Sequence, residues 1–385
     1  MSAMHRLRLV TVVGTTVATL AVAASVAPVS AAPRPVPRQT SQQAAEGQAR
    51  MLVASGLNNP RHLAFDRRGR LYVAEAGRGG KGPCMKGPEG GQVCFGTSGA
   101  VSVIGRKGAH HRVASGFPSL AAPDGTSALG PADLVIGQRG QFVLSIGLGA
   151  NPSVRKTLPR VGRRFMGTLT TARFGSATRS VLADLSGYEA AKDPDRAGPD
   201  SDPVGFIRRG SGFVAADAGG NDIVAVSSRG KVMALRTFAA RSVPSPMGGP
   251  AIKMQSVPTT VVHGPRGVLF VSELTGFPFP AGGARIYRVA PHKPVQVYAR
   301  GLTNVTDLAW YRGHLYAVQI SDVGLAAEKG LPHGSLVRVR PGRTPVTLAK
   351  NLPAPYGVAI RGGTAYVTTC TVCKGGGGVA TVPLR

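Results

Sequence analysis

The chain has 385 residues and a formal net charge of +28, set by 46 Lys and Arg against 18 Asp and Glu. The basic residues are scattered and form no run interleaved with aromatics, so the charge does not read as a nucleic-acid footprint. It supplies long-range attraction to acidic envelope polymers, or simply solubility.

The first predicted element is an export signal. His5, Arg6 and Arg8 precede an apolar stretch over residues 9–27, and Val29-Ser30-Ala31 offers small residues for cleavage. Residues 1–31 therefore read as a secretory signal peptide, which places the mature protein outside the cell. No second apolar span follows, so no membrane span is expected in the mature chain. Residues 32–49, with Pro33, Pro35 and Pro37, read as a disordered linker, and residues 50–385 as one domain.

In that domain an all-β unit recurs about every 50–70 residues. A first strand, such as 63–65 or 134–136, runs into an Arg- and Gly-rich turn such as Asp66-Arg67-Arg68-Gly69. Glycine tolerates the positive φ that a tight hairpin demands. Second strands follow at 70–75, 141–146, 212–217, 268–273, 314–319 and 364–369. Third strands are predicted at 100–104, 167–170, 223–226, 285–289, 335–339 and 379–382. Fourth strands are predicted at 112–114, 180–183, 232–235, 295–298 and 346–348. Six units of four antiparallel strands predict a six-bladed β-propeller, with an open stack or a sandwich pair as the alternative. The sixth unit lacks its outer strand, and residues 51–54 are expected to supply it and close the ring.

Loops after the second and fourth strands share one face, and they are the long and varied ones, so function is expected there. Glu75, Asp217 and Glu273 end equivalent second strands on that face. Asp133 and Asp307 begin innermost strands and align with His62, Gly205, Thr260 and Gly357. Such a ring of carboxylates can hold Ca²⁺ in the central channel, or pair with Arg61 and other bases. His62 beside Asp133 or Asp307 reads either as a general base or as an ordinary hydrogen-bonded residue. Residues 184–202 carry Asp184, Glu189, Asp193, Asp195, Asp200 and Asp202 and read as a solvated acidic loop facing basic neighbours. Phe277 and Phe279 form either a ligand contact or a lid packed over their own blade. No nucleophile elbow, zinc-protease helix or phosphate loop is present in the sequence.

Four cysteines suit an oxidising compartment. Local bridges Cys84–Cys94 and Cys370–Cys373 are the first expectation, cross-bridging between these two loops the second, and a four-thiolate zinc site the third.

Several stretches resemble one family over essentially the whole mature chain. They include Glu189-Ala190-Ala191-Lys192-Asp193-Pro194-Asp195, Ala216-Asp217-Ala218-Gly219-Gly220-Asn221 and Glu273-Leu274-Thr275-Gly276-Phe277-Pro278-Phe279-Pro280. The family is ScyD/ScyE, related to the NHL and SMP-30-type propellers. Lys192 and Arg196 depart from it, standing where Asn and Gly are expected. The resemblance implies an extracytoplasmic six-bladed propeller. SMP-30-type relatives include metal-dependent lactonases with Glu, Asn and Asp ligands in the channel. On that analogy Glu75, Asp217, Asn221 and Asp307 would imitate such a set. Glu273, at the end of an equivalent second strand, joins Glu75, Asp217 and Asn221 as a candidate metal ligand. The expected function is a monomeric secreted platform whose loop-rich face binds a small molecule, a protein or an acidic envelope polymer. A metal-dependent, lactonase-like hydrolase with a carboxylate-lined channel is the alternative.

Overall fold

Apolar residues along each strand alternate between two faces, so every sheet buries both faces against a neighbour. The computed structural model describes residues 51–385 except 89, 106, 107 and 385; the expected signal peptide and linker lie outside the described residues. β1 (Leu52–Leu57) comes first. The first blade holds β2 (Pro60–Phe65), β3 (Leu71–Glu75), β4 (Cys84–Lys86), β5 (Gln92–Ile104) and β6 (His110–Ala121). The second holds β7 (Pro131–Ile136), β8 (Gln141–Ile146), β9 (Thr168–Arg173) and β10 (Arg179–Asp184). Helix α1 (Arg160–Phe165) lies between β8 and β9, and α2 (Leu185–Lys192) follows β10.

The third blade is β11 (Pro203–Arg209), β12 (Gly212–Asp217), β13 (Asp222–Val226) and β14 (Val232–Thr237). A small hairpin, β15 (Arg241–Val243) and β16 (Ile252–Met254), leads to the fourth blade. That blade is β17 (Pro258–His263), β18 (Leu269–Glu273), β19 (Ala284–Val289) and β20 (Gln296–Leu302). β21 (Val305–Tyr311), β22 (His314–Gln319), β23 (His333–Arg338) and β24 (Val346–Pro353) make the fifth. The sixth is β25 (Val358–Arg361), β26 (Thr364–Thr369), β27 (Gly377–Pro383) and, as its outer strand, β1. β1 pairs antiparallel with β27, Leu57 opposite Gly377 and Ala54 opposite Val379. The fold is an all-β, six-bladed propeller of four-stranded antiparallel blades, the first of which adds β4 as a fifth strand on the early part of β5.

An apolar cluster lies at each junction between neighbouring blades. Phe142, Leu144 and Ile146 of β8 pack on Tyr72, Val101 and Val103 of the first blade. Val143, between them in sequence, joins Phe206, Phe213 and Ala215 of the third. β12 repeats the alternation: Val214 and Ala216 face Val261 and Leu269 of the fourth blade. Burying one such side chain contributes about 1.5–3 kcal/mol, so the blades are held chiefly face to face.

Two departures from the expected strands have local causes. β5 starts well before residue 100, because Cys84 stands opposite Cys94 and their disulfide ties β4 to its first half. The acidic segment opens as helix α2, capped by Asp184, which accepts the Gly187 amide, and closed by Asp193 in a left-handed conformation. The second bridge joins Cys370 to Cys373, so the two local pairings are those formed.

Candidate functional site

The innermost strands bulge just after they start. In β7, Pro131 pairs with Ile146 and then Asp133 with Ser145; in β21, Val305 pairs with Gln319 and then Asp307 with Val318. The extra residue re-aims the side chain that follows it. This brings His62, Asp133 and Asp307 together, with His62 Nδ1 3.5 Å from Asp133 Oδ2 and 4.0 Å from Asp307 Oδ1. Two glycines make the room: a Cβ on Gly205 would stand 2.4 Å from Thr260 Oγ1, and one on Gly357 2.7 Å from His62 Cα.

Both carboxylates are already engaged. Asp133 Oδ2 accepts the Phe206 amide of the third blade at 2.9 Å, and Asp307 Oδ2 the Val358 amide of the sixth at 2.7 Å. Their other oxygens accept the amides of Leu134 and Leu308. Burial would lower the His62 pKa, but the charges of Asp307 and Asp133 outweigh it and hold the imidazole above its ordinary value. Burial, working against the charge of His62, pushes Asp307 up to about 6. An apolar cluster of Ala132, Val204 and Ala218, with Val257 and Tyr356 packed on it, lies at the starts of these strands. The Tyr356 ring stands 5.3 Å from that of His62, under the Arg61 guanidinium, and burial pushes its hydroxyl up to about 12. His62 and Asp307 are 2 % and 5 % exposed, so the triad is a closed staple across blades.

Glu75 and Glu273 are closed as well, each by an arginine fork. Arg112 Nε and Nη2 reach Glu75 at 3.1 and 2.8 Å, and Ser102 Oγ donates to it at 2.5 Å. Arg241 grips both Glu273 oxygens, while Ser256 Oγ and Tyr287 Oη donate at 2.8 and 2.9 Å. Asp217 accepts Ser201 Oγ at 2.7 Å and the amides of Asp202 and Gly220. Asn221 donates to Asp195 Oδ2 at 2.8 Å and accepts the Val257 amide at 3.0 Å. Glu75, Asp217, Asn221 and Glu273 thus each have hydrogen-bond partners of their own.

Asp217 and Asn221 instead border an acidic group that the sequence presented as a solvated loop. Oxygens of Glu189, Asp193 and Asp195 all lie within 4.8 Å of one another, the one such group among the described residues. Glu189 is 2 % exposed, and Asp222, which begins β13, is 1 % exposed. Burial, then the charges of Asp217, Asp195 and Asp193, pushes Glu189 up to about 8. Burial, then Asp217, Glu189 and Asp195, pushes Asp222 up to about 9. Sequence reasoning passed over Asp222. Its signal was the short turn that sets it directly opposite Asp217 across β12 and β13, a pairing of like charges that needs a reason. These oxygen donors are of the kind that hard cations take.

Beside this group lies an open cleft of about 860 Å³ on the loop-rich face, between the third- and fourth-blade loops. Phe238, Met247, Ile252 and Phe277 give it an apolar lining, and Asp195, Asn221, Lys253 and Gln255 a polar one. Met247 is 84 % and Phe277 48 % exposed. Phe279 does not line the cleft; it stands edge-on to Phe277, ring centroids 6.4 Å apart. The β15–β16 hairpin that forms one wall is tethered to the fourth blade through Arg241, which also donates to the Gly283 carbonyl at 2.8 Å.

No family model and no curated protein matches the chain. Solved structures do. It is similar to a putative gluconolactonase, at 9 % identity over 88 % of this chain and 93 % of that one, with a TM-score of 0.50. A gluconolactonase from Xanthomonas campestris is 11 % identical over 90 % and 93 %, at 0.48. A virginiamycin B lyase from Staphylococcus aureus is 11 % identical over 88 % and 99 %, at 0.46. At such identities the likeness shows the fold alone, which is that of a β-propeller.

Proposed function

We propose that this protein is a secreted ligand-binding platform whose working surface is the cleft between the third- and fourth-blade loops. The observation that carries this reading is the lining: exposed Phe277 and Met247 beside Asp195, Asn221 and Lys253. An apolar body with a few polar groups fits such a surface, the apolar wall giving area and the polar residues orientation. The ScyD/ScyE resemblance and the two disulfides agree with an extracytoplasmic setting. The strongly basic composition would also draw the molecule to acidic envelope polymers. A lactonase-like hydrolase in the channel finds less support, since Asp133 and Asp307 there already accept backbone amides.

Titration with anilinonaphthalene sulfonate, an aromatic dye bearing one anionic group, tests the cleft. Saturable fluorescence is expected, lost in the Phe277→Ser, Met247→Ser double variant while its melting temperature holds. Undiminished saturable binding by that variant would place the site elsewhere.

A further inference from the structure

We propose that Glu189, Asp193 and Asp195, with Asp222 beside them, hold a divalent cation of the calcium type at the rim of the cleft. The first support is proximity: oxygens of the first three lie within 4.8 Å of one another, and an ion with ligands at about 2.3–2.6 Å fits among them. The second is burial without partners. Glu189 and Asp222 are 2 % and 1 % exposed, yet Oε1 of Glu189 and both oxygens of Asp222 accept no hydrogen bond, and neither does Asp193 Oδ1. A carboxylate oxygen withdrawn from water is costly unless a donor or a positive charge meets it.

The third support is charge. The chain has 46 Lys and Arg, and it closes Glu75 and Glu273 with arginines. None of the ion pairs among the described residues involves the four acids named here. A cluster of buried and half-buried carboxylates with no ion pair to a basic side chain is matched by an ion in its midst. All the donors are oxygens, which favours a hard cation. They come from the last turn of α2, its left-handed cap, the turn beyond it and the start of β13. Such an irregular set suits the flexible coordination of Ca²⁺ better than the strict octahedron of Mg²⁺.

Asp195 accepts the Asn221 side chain, and both residues line the cleft, so loading the ion fixes one cleft wall. That consequence rests on the cleft reading above; the ion site itself does not.

The test is calorimetric titration of the full mature chain, stripped with EDTA and dialysed, with calcium chloride alone. One ion per chain and a raised melting temperature are expected. Glu189→Gln and Asp222→Asn should each weaken binding by at least about tenfold. Asp195→Asn, at the half-buried edge, should do the same should either of those variants not fold. Asp66→Asn, on the first blade beside Arg70, should leave binding unchanged. Calcium-free Glu189→Gln and Asp222→Asn should melt no lower than the calcium-free parent, because repulsion has been removed; a purely structural role would lower them. Absence of heat and of any thermal shift at millimolar Ca²⁺ overturns the site, as do variants that keep the parent affinity. Tighter binding of Mg²⁺ overturns the calcium assignment. Dye binding indifferent to calcium overturns the coupling alone, and calcium binding without dye binding overturns only the cleft.

Discussion

At the residue scale the buried triad sets a pH dependence. The His62 pKa lies above its ordinary value of 6.5, so the imidazolium's contribution to stability is complete below that pH. It is lost as pH rises through the higher folded-state value. Asp307 also costs stability with rising pH, but its change runs from 3.8 to about 6 and is finished below that window. His62→Asn should therefore cost more stability near pH 6 than near pH 9, read as denaturant midpoints at the two pH values. Equal losses at both would mean that His62 acts through packing alone. The alignment of His62, Asp133 and Asp307 was legible from the repeat. Their engagement was not, because the amides that claim the carboxylates lie 73 residues beyond Asp133 and 51 beyond Asp307.

Among elements, strands written by local signals were legible and those written by distant ones were not. β8, β12, β22 and β26 fall on the residues their alternation and preceding Arg-Gly turns indicate. β15 and β16 carry no such signal; they are held by Arg241 reaching Glu273, a partner 32 residues away. Helix α2 is short, and its burial of Glu189 depends on a strand pair that comes later in the chain. Crowding of the innermost strands is a further consequence of closure. A Cβ on Gly205 would come within 2.8 Å of Thr260 Cα as well as meeting its hydroxyl, so side-chain rotation cannot relieve it. Gly205→Ala should cost about 1–3 kcal/mol through overpacking between β11 and β17. Thr260→Ala should restore only part of that loss. Gly91→Ala, with nothing within 4 Å of its Cβ, is the control expected to leave the denaturant midpoint in place. A neutral Gly205→Ala would contradict the close approach of these strands.

Across the whole molecule, closure makes the first described strand part of the core. Leu57 ends β1 as Leu302 ends β20 and Leu352 lies near the end of β24, and the three are 0 %, 0 % and 1 % exposed. Each faces the innermost strand of its own sheet's neighbour: Leu302 packs with Val305 and Leu308, and Leu57 with Leu63, Leu71 and Val73 of the first blade. The sequence separation differs greatly between them, since β1 pairs with a strand from the other end of the domain. If the ring behaves as one cooperative body, that separation does not matter to the cost of a cavity. Leu57→Ala and Leu302→Ala should then each lose about 2–5 kcal/mol, with similar denaturant slopes. Leu52→Ala, 58 % exposed on the same strand, should change little. A small loss for Leu57→Ala beside a large one for Leu302→Ala would mean that β1 detaches before the rest unfolds. The seam would then be a separate, weaker unit, and the remaining blades would keep their stability without it.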